Sequence, residues 1–146
     1  GEGFAFSSGR HEILLESDGP VALLGSRKEL HSAFLNLVTN AIRYTPEGGQ
    51  ITLRWSVATG GGACFAVEDN GIGIAVEHIP RLTERFYRVD RGRSRENGGT
   101  GLGLAIVKHA LSRHQASLQV VSEPGRGSCF SAVFPADRVY RPAALV

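Results

Sequence analysis

The alternation of apolar and polar residues along the chain predicts short strands around one long helix. The stretches HEILLES (11–17) and VALLGS (21–26) have the pattern of strands. A helix is predicted from Ser26 to Tyr44, because the S-x-x-E spacing of a capping box opens it and apolar residues follow at i, i+3 and i+4. These apolar residues form a core-facing stripe: Leu30, Ala33, Phe34, Leu37, Val38, Ala41 and Ile42.

The second half of the chain predicts two hairpins and two helices. ITLRWSVA (51–58) and CFAVED (64–69) flank a triple-glycine turn, and SLQVVSE (117–123) and CFSAVFP (129–135) are joined at Pro124-Gly125. A short helix is expected around 75–79, and the almost wholly apolar run 102–111 predicts a buried helix. These elements indicate one α/β domain over residues 1–146, a two-layer α/β sandwich with a mixed, mostly antiparallel sheet and helices on one face.

Composition adds little to this picture. The chain has 146 residues, 42% hydrophobic and 21% charged, which is typical of a globular domain. Cys64 and Cys129 lie far apart and form no C-x-x-C pair, so we expect two small buried thiols in a reducing compartment. Six arginines crowd into residues 81–95, as in a solvated loop or a loop facing an anion. No basic stripe extends further, so nucleic acid is not an expected partner.

Three groups of residues are candidates for chemistry. On the predicted helix, Asn36, Asn40 and Arg43 fall within an arc of about 60° beside the apolar stripe. They are either a polar boundary or a site where amide oxygens meet Mg²⁺ and the guanidinium meets phosphate. The stretch DNGIGI (69–74) is either an ordinary turn or an acid at a strand end that accepts an N–H from a flat heterocycle. Its two glycines would let a ring approach the backbone.

The third group is GGTGLGLAIVKH (98–109), in which glycines lead into a helix N-terminus that attracts anions. The alternative is that these glycines only permit tight helix packing. The stretch matches neither the P-loop nor the dinucleotide-binding glycine motif.

The order of these motifs resembles the N, G1, F and G2 boxes of the histidine-kinase ATP-binding domain. The matching stretches are NLVTNAIRYTP, DNGIGI, ERFYRVD and GGTGLGLAIVKH, and they cover essentially the whole chain. The longer stretch RLTERFYRVDRGRSRENGGTGLGLAIVKH is most similar to phosphate-regulon sensor kinases. The resemblance implies the Bergerat-type fold, with ATP and Mg²⁺ as cofactors.

The resemblance also implies roles for individual residues. Asn40 matches the Mg²⁺ ligand, and Asp69 matches the acid that pairs with the adenine amino group. Asn36, Arg43 and Arg88 match residues on the phosphate side, where catalysis occurs. The remaining matches to the ATP-binding set are Tyr44, Gly71, Gly73, Ile74, Gly99, Thr100, Gly101, Leu102 and Gly103. Residues 91–99 match the ATP lid, and Phe86 is expected to anchor it.

By the same resemblance, the chain transfers the ATP γ-phosphoryl group to a histidine of a separate dimerisation domain, which in turn serves a response regulator. The acceptor motif, a histidine followed by an acid and then a proline, does not occur, because His11-Glu12 leads into a strand. We therefore expect a monomeric cytoplasmic domain cut from a homodimeric, membrane-anchored sensor that responds to phosphate limitation. Relatives often carry threonine where this chain has Cys129, close to the base, and we expect Ser128 or a water to replace that contact.

Three alternatives share the implied fold or its ligand. Gyrase-type ATPases resemble E-x-x-x-N in the first helix, where the glutamate activates water. Here Asn36 precedes Asn40 by four residues and cannot act as a general base, which disfavours hydrolysis. Serine kinases that act on anti-sigma antagonists lack the F box. A nucleotide-binding regulatory module without transfer activity stays open as the second interpretation.

Overall fold

The computed structural model describes residues 2–7, 11–18, 22–87 and 102–140. Two α-helices, α1 (Arg27–Tyr44) and α2 (Gly103–Arg113), and two 3₁₀ helices (Val76–Arg81 and Ala136–Arg138) occur in these ranges. The strands in chain order are β1 (Glu2–Ser7), β2 (Glu12–Ser17), β3 (Ala22–Leu23), β4 (Gln50–Val57), β5 (Ala63–Asp69), β6 (Ser117–Glu123), β7 (Gly127–Phe134) and β8 (Val139–Tyr140).

Six strands form a mixed sheet in the order β1-β2-β4-β5-β7-β6. The β2–β4 pair is parallel and the other four neighbouring pairs are antiparallel. Two parallel strands need a crossover connection, and α1 lies in that connection. The hairpins β4–β5 and β6–β7 confirm the turns predicted at the glycines and at Pro124-Gly125. The sheet is therefore mixed and mostly antiparallel, as the sequence predicts.

The long helix begins and ends where the sequence predicts. Ser26 is its N-cap, and its side chain accepts a hydrogen bond from the Glu29 N–H at 3.2 Å. The Ser26 N–H donates to Nε2 of the buried His114 at 3.0 Å, and this bond ties the start of α1 to the end of α2. Four apolar stripe residues are buried: Leu30, Ala33, Leu37 and Ala41.

The core lies between the two helices and one face of the sheet, which confirms the two-layer architecture. Phe34 of α1 packs on Phe65 of β5 with ring centroids 4.6 Å apart, and on Phe134 of β7 at 6.1 Å. The helix α2 contributes Val107, Ala110 and Leu111 to the same core. Positions that alternate along the strands face away from the helices, where Arg54 pairs with Glu16 at 2.9 Å.

Several predictions of elements need correction. The strand β1 was not predicted, and VALLGS contributes only β3, which pairs with β8 outside the main sheet. The short helix expected around 75–79 is a 3₁₀ helix over Val76–Arg81 with Pro80 inside it. Cys64 and Cys129 are free thiols but only half-buried. Within the described ranges, neither helix has the length and hydropathy that a membrane span requires.

Candidate functional site

Asp69 ends β5 as a buried acid, only 5% exposed. Its Oδ1 accepts a hydrogen bond from the Gly71 N–H at 2.9 Å, so the carboxyl organises the start of the loop that follows. Burial raises the pKa of the Asp69 carboxyl above its ordinary value, although backbone N–H groups of Gly71 and Ser128 act in the opposite direction. A buried acid with an unfavourable environment is typical of a binding site rather than of a stabilising contact.

The loop after Asp69 is held in place through its backbone. The Ile72 N–H donates to the Tyr44 carbonyl of α1 at 3.1 Å, and the Ile72 carbonyl accepts from the Gly125 N–H at 2.8 Å. A Cβ at Gly71 would lie 2.1 Å from the Tyr44 carbonyl oxygen. The glycine therefore lets the loop lie directly on the end of α1.

Position 73 requires glycine more strictly than position 71, for two reasons. Its φ is +73°, and a Cβ would lie 2.1 Å from the carbonyl oxygen of Glu123. Both glycines are thus required by close approach to the protein's own backbone, and the predicted role of admitting a ring against the loop stays a prediction. The Ile74 side chain is 1% exposed and belongs to the core.

We expect Gly73→Ala to destabilise the fold by about 2 kcal/mol more than Gly125→Ala, because both positions have positive φ but only Gly73 also meets backbone. Gly125 has a φ of +83° and nothing within 4 Å of the added Cβ, so it is a matched control. Urea unfolding of the two variants measures the difference. Equal losses of stability would show that the loop moves away from Glu123 without cost.

The polar face of α1 lies at the edge of the same region. Asn40 is buried at 6% exposure, and Asn36 and Arg43 are half-buried. The Asn36 side-chain amide donates to the Ser32 carbonyl at 2.8 Å. Its Oδ1 lies 3.0 Å from the position that a Cβ of Gly103 would occupy, so the first residue of α2 rests against this amide. Glycine at 103 permits that contact.

The helix α1 therefore contacts two of the glycine motifs. Asn36 meets the start of α2, and eight residues later the Tyr44 carbonyl meets the loop 70–74. Eight residues of helix span about 12 Å, a length that suits a nucleotide laid along the helix. Asn40 and Arg43 lie between these two contacts. The structure thus brings Asn36, Asn40, Arg43, Tyr44, Asp69 and Gly103 to one region.

Other predicted residues are placed less fully. Leu102 is the half-buried N-cap residue of α2, and its own side chain makes no capping hydrogen bond. Arg88, Gly99, Thr100, Gly101 and the lid residues 91–99 lie outside the described residues. Phe86 is 66% exposed with a φ of 67°, and the segment it was expected to anchor is likewise outside the described ranges.

Two serines lie near Asp69, of which the sequence indicated Ser128 as a possible contact near the base but did not indicate Ser122. Ser128 is the direct partner of Asp69 across β5 and β7, so both side chains lie on one face of the sheet. Cys129 pairs with the exposed Glu68 and faces the other side. The position at which relatives often carry threonine, Cys129 here, therefore lies on the opposite face from Asp69, whereas Ser128, which was expected to replace that contact, lies on the same face as Asp69. Ser122 bonds Ser128 from β6 at 2.7 Å.

A cleft of about 950 Å³ adjoins this region without containing it. It is lined by residues of the first half of α1 and of α2, and its described lining includes Ser32, Leu102 and Ile106 but not Asn40 or Asp69. Of the described candidate site residues, Leu102 alone lines this cleft. The motif residues, and not the size of the cleft, define the candidate site.

The described residues hold no group of three or more His, Cys, Asp and Glu side chains placed to bind a metal ion. A metal at Asn40 would have a neutral amide oxygen from the protein. Mg²⁺ keeps several waters and commonly binds substrate phosphates alongside one or two protein ligands, so such a sparse donor set fits a magnesium ion that is also bound by phosphates.

Comparison with known proteins identifies the family of the chain. The family described as histidine kinase-, DNA gyrase B-, and HSP90-like ATPase matches residues 25–138. The phosphate regulon sensor protein PhoR of Pseudomonas aeruginosa is 54% identical over 136 residues, which are 92% of this chain and 30% of that protein. The chain thus spans less than a third of that relative's length.

Solved structures point to the same family. The mycobacterial sensor histidine kinase MprB has a TM-score of 0.75 at 29% identity, with 86% of this chain and 83% of that chain covered. Full-length ShkA in complex with AMPPNP has a TM-score of 0.72 at 32% identity, with 86% of this chain and 25% of that chain covered. The chain therefore belongs to the family of histidine kinase-, DNA gyrase B- and HSP90-like ATPases, within which it is a catalytic domain of the sensor histidine kinase type.

Proposed function

We propose that this chain, as one domain, binds Mg²⁺-ATP along α1 and transfers the γ-phosphoryl group to a histidine on a separate dimerisation domain. One observation carries the proposal: α1 contacts the loop after Asp69 at one point and the start of α2 at another. An acid suited to a purine and a helix N-terminus suited to phosphate thereby stand at opposite ends of one surface.

Each residue has a role in this proposal. Asp69 accepts a hydrogen bond from the adenine amino group, and Tyr44 flanks the base or sugar. Asn36 and Arg43 bind phosphate oxygens. The N-terminus of α2 (Leu102 and Gly103) faces the phosphates together with Gly99, Thr100 and Gly101. Gly71, Gly73 and Ile74 shape the base pocket, and Arg88 reaches the phosphates or the docked acceptor domain.

Asn40 would hold Mg²⁺ through its amide oxygen. When bound, the ion supplies charge neutralisation on the phosphates. The chain's own contribution is to position the triphosphate and to exclude water from it with the lid.

The transfer itself requires little from the protein beyond position. A neutral imidazole is already a nucleophile, so its Nε2 lone pair forms the new bond to the γ-phosphorus while the bond from phosphorus to the bridging β-oxygen breaks and ADP leaves. Arg43 offsets the negative charge on the transferred group. Asn36 cannot accept a proton from water, which disfavours hydrolysis of the nucleotide.

The partners and location of the parent protein are also proposals. We propose that the acceptor-histidine domain belongs to the same parent, that the parent is a membrane-anchored homodimer with this domain on the cytoplasmic side, and that a response regulator takes the phosphoryl group. The name of the relative that is 54% identical supports a role in the response to phosphate limitation. The isolated domain is expected to be a monomer.

Mixing the chain with labelled ATP, Mg²⁺ and a purified dimerisation domain of a phosphate-regulon sensor kinase tests this function. We expect acid-labile, alkali-stable label on that domain, and none when its acceptor histidine is replaced by glutamine. Rapid release of free phosphate without labelled domain would favour the ATPase alternative. Binding of ATP without either product would favour a regulatory nucleotide-binding module.

A further inference from the structure

Three polar residues form a row across the end of the sheet. Asp69 of β5 is directly opposite Ser128 of β7, and Ser128 is directly opposite Ser122 of β6. Directly opposed residues on antiparallel strands point to the same face. The row therefore links the acid of the candidate base pocket to a serine two strands away, on the helix-covered side of the sheet.

The Ser122 hydroxyl makes three contacts. It accepts from the Ile74 N–H at 2.7 Å, lies 2.7 Å from the Ser128 hydroxyl oxygen, and donates to the Gly127 carbonyl at 3.1 Å. A hydroxyl has one proton and two lone pairs. With its proton on the Gly127 carbonyl and one lone pair on the Ile74 N–H, Ser122 has one lone pair left for the proton of Ser128.

This assignment decides which way the Ser128 proton points. When Ser128 donates to Ser122, its proton points away from Asp69 and its lone pairs remain for the base pocket. Without Ser122, the carboxylate directly opposite becomes the alternative acceptor for the Ser128 proton. Asp69 would then accept a hydrogen bond from Ser128 and would be a weaker acceptor for the purine.

We propose that Ser122 is a positioning residue for purine discrimination, which keeps the Ser128 proton away from Asp69 and holds the loop 70–74 by the Ile74 N–H. The inference rests on the proposed function, in which Asp69 binds the adenine amino group. Ser122 itself touches no part of the nucleotide. Its effect is transmitted through Ser128 and through the loop backbone.

The experiment compares ATP with ITP, which carries a carbonyl oxygen in place of the amino group and a proton on N1. Calorimetry of wild type, Ser122→Ala and Ser122→Thr with both nucleotides gives the preference for ATP. We expect Ser122→Ala to reduce this preference about tenfold, mainly by weakening ATP, because a charge-assisted hydrogen bond is weakened by competition. Ser122→Thr keeps the hydroxyl and should retain at least a third of the preference.

The control is Ser117→Ala, an exposed serine on the outer face of the same strand, which should leave both affinities unchanged. A merely structural role of Ser122 would lower both affinities by the same factor and leave the preference unchanged, which would overturn the inference. The melting temperature of each variant identifies a loss of fold. Should Ser122→Ala not fold, Ser122→Cys, which keeps the volume but has a weak acceptor, gives the same comparison.

The variant Asp69→Asn separates this inference from the proposed function. In that background Ser122→Ala should change the ATP-to-ITP ratio by less than twofold, because the residue it acts through is already altered. A tenfold change that persists in Asp69→Asn would overturn the inference without contradicting the proposed function, in which the wild type binds ATP. If the preference for ATP over ITP is the same in wild type and in Asp69→Asn, the assignment of the base pocket itself fails.

Discussion

Asp69→Asn is expected to weaken ATP binding at least about 100-fold and, at the same time, to stabilise the free protein. The asparagine oxygen would take over the hydrogen bond from the Gly71 N–H, which leaves the amide NH₂ in the position of the second carboxylate oxygen. Two donors, this NH₂ and the adenine amino group, would then face each other. The charge-assisted hydrogen bond would be lost as well.

The gain in stability follows from the raised pKa of Asp69. The folded protein holds this proton more tightly than the unfolded chain, so ionised Asp69 costs free energy in the fold. This contribution is most favourable below the ordinary value of 3.8 and is lost as the pH rises through the raised folded value. Asparagine does not titrate, so the stability difference between variant and wild type should grow from low pH to neutral pH.

Calorimetry with ATP and thermal unfolding between pH 4 and pH 8 measure both effects. Glu68→Gln is the matched control, because Glu68 is the neighbouring acid but is exposed and pairs with Arg54 on the outer face of the sheet. It should leave ATP binding unchanged. A variant at Asp69 that binds ATP normally, or that is less stable than wild type at neutral pH, would contradict this account of the acid.

Asn40→Ala is expected to lower phosphoryl transfer at least about 100-fold and to remove the dependence of ATP binding on Mg²⁺. Asn40 is the most buried polar residue on α1, and in the proposed site it is the amide that binds the metal. Removing one preorganised donor from an oxyanion hole costs about 3 kcal/mol in acyl-transfer enzymes, and we expect a loss of similar size here. Nucleotide binding should persist weakly through Asp69.

The rate of label transfer to the acceptor domain and the Kd for ATP with and without Mg²⁺ provide the readouts. Thr39→Ala is the control on the same helix, since its hydroxyl donates to the Leu35 carbonyl of that helix at 2.9 Å. If Asn40→Ala kept the Mg²⁺ dependence and the transfer rate of Thr39→Ala, the metal would have to be placed elsewhere.

The sequence predicts α1 closely because its signals are local. The cap, the stripe and the end before Pro46 all lie within one continuous segment, and the structure reproduces them. The small strands β3 and β8 could not be foreseen in this way, since each exists only through a partner more than a hundred residues away. The pattern of VALLGS alone indicates a strand but not the sheet to which it belongs.

In the candidate site, too, local signals predict some features and miss those that depend on distant residues. Residue types and motif order indicate Asn40 and Asp69, but not that the Tyr44 carbonyl receives the Ile72 N–H. The choice between Cys129 and Ser128 also depends on the sheet, because side chains alternate between faces and a shift of one residue reverses the face. Ser122 bonds a backbone group 48 residues away, a relation that spacing along the chain does not reveal.

Hydrogen–deuterium exchange with and without Mg²⁺-ATP tests the central claim, that α1 and the loop after Asp69 form one nucleotide site. We expect peptides covering residues 36–44 and 69–74 to gain protection together, with the same midpoint as ATP is titrated. A peptide from the rest of β4, such as 52–56, should not change. Protection of one segment without the other, or two separate midpoints, would contradict the shared site.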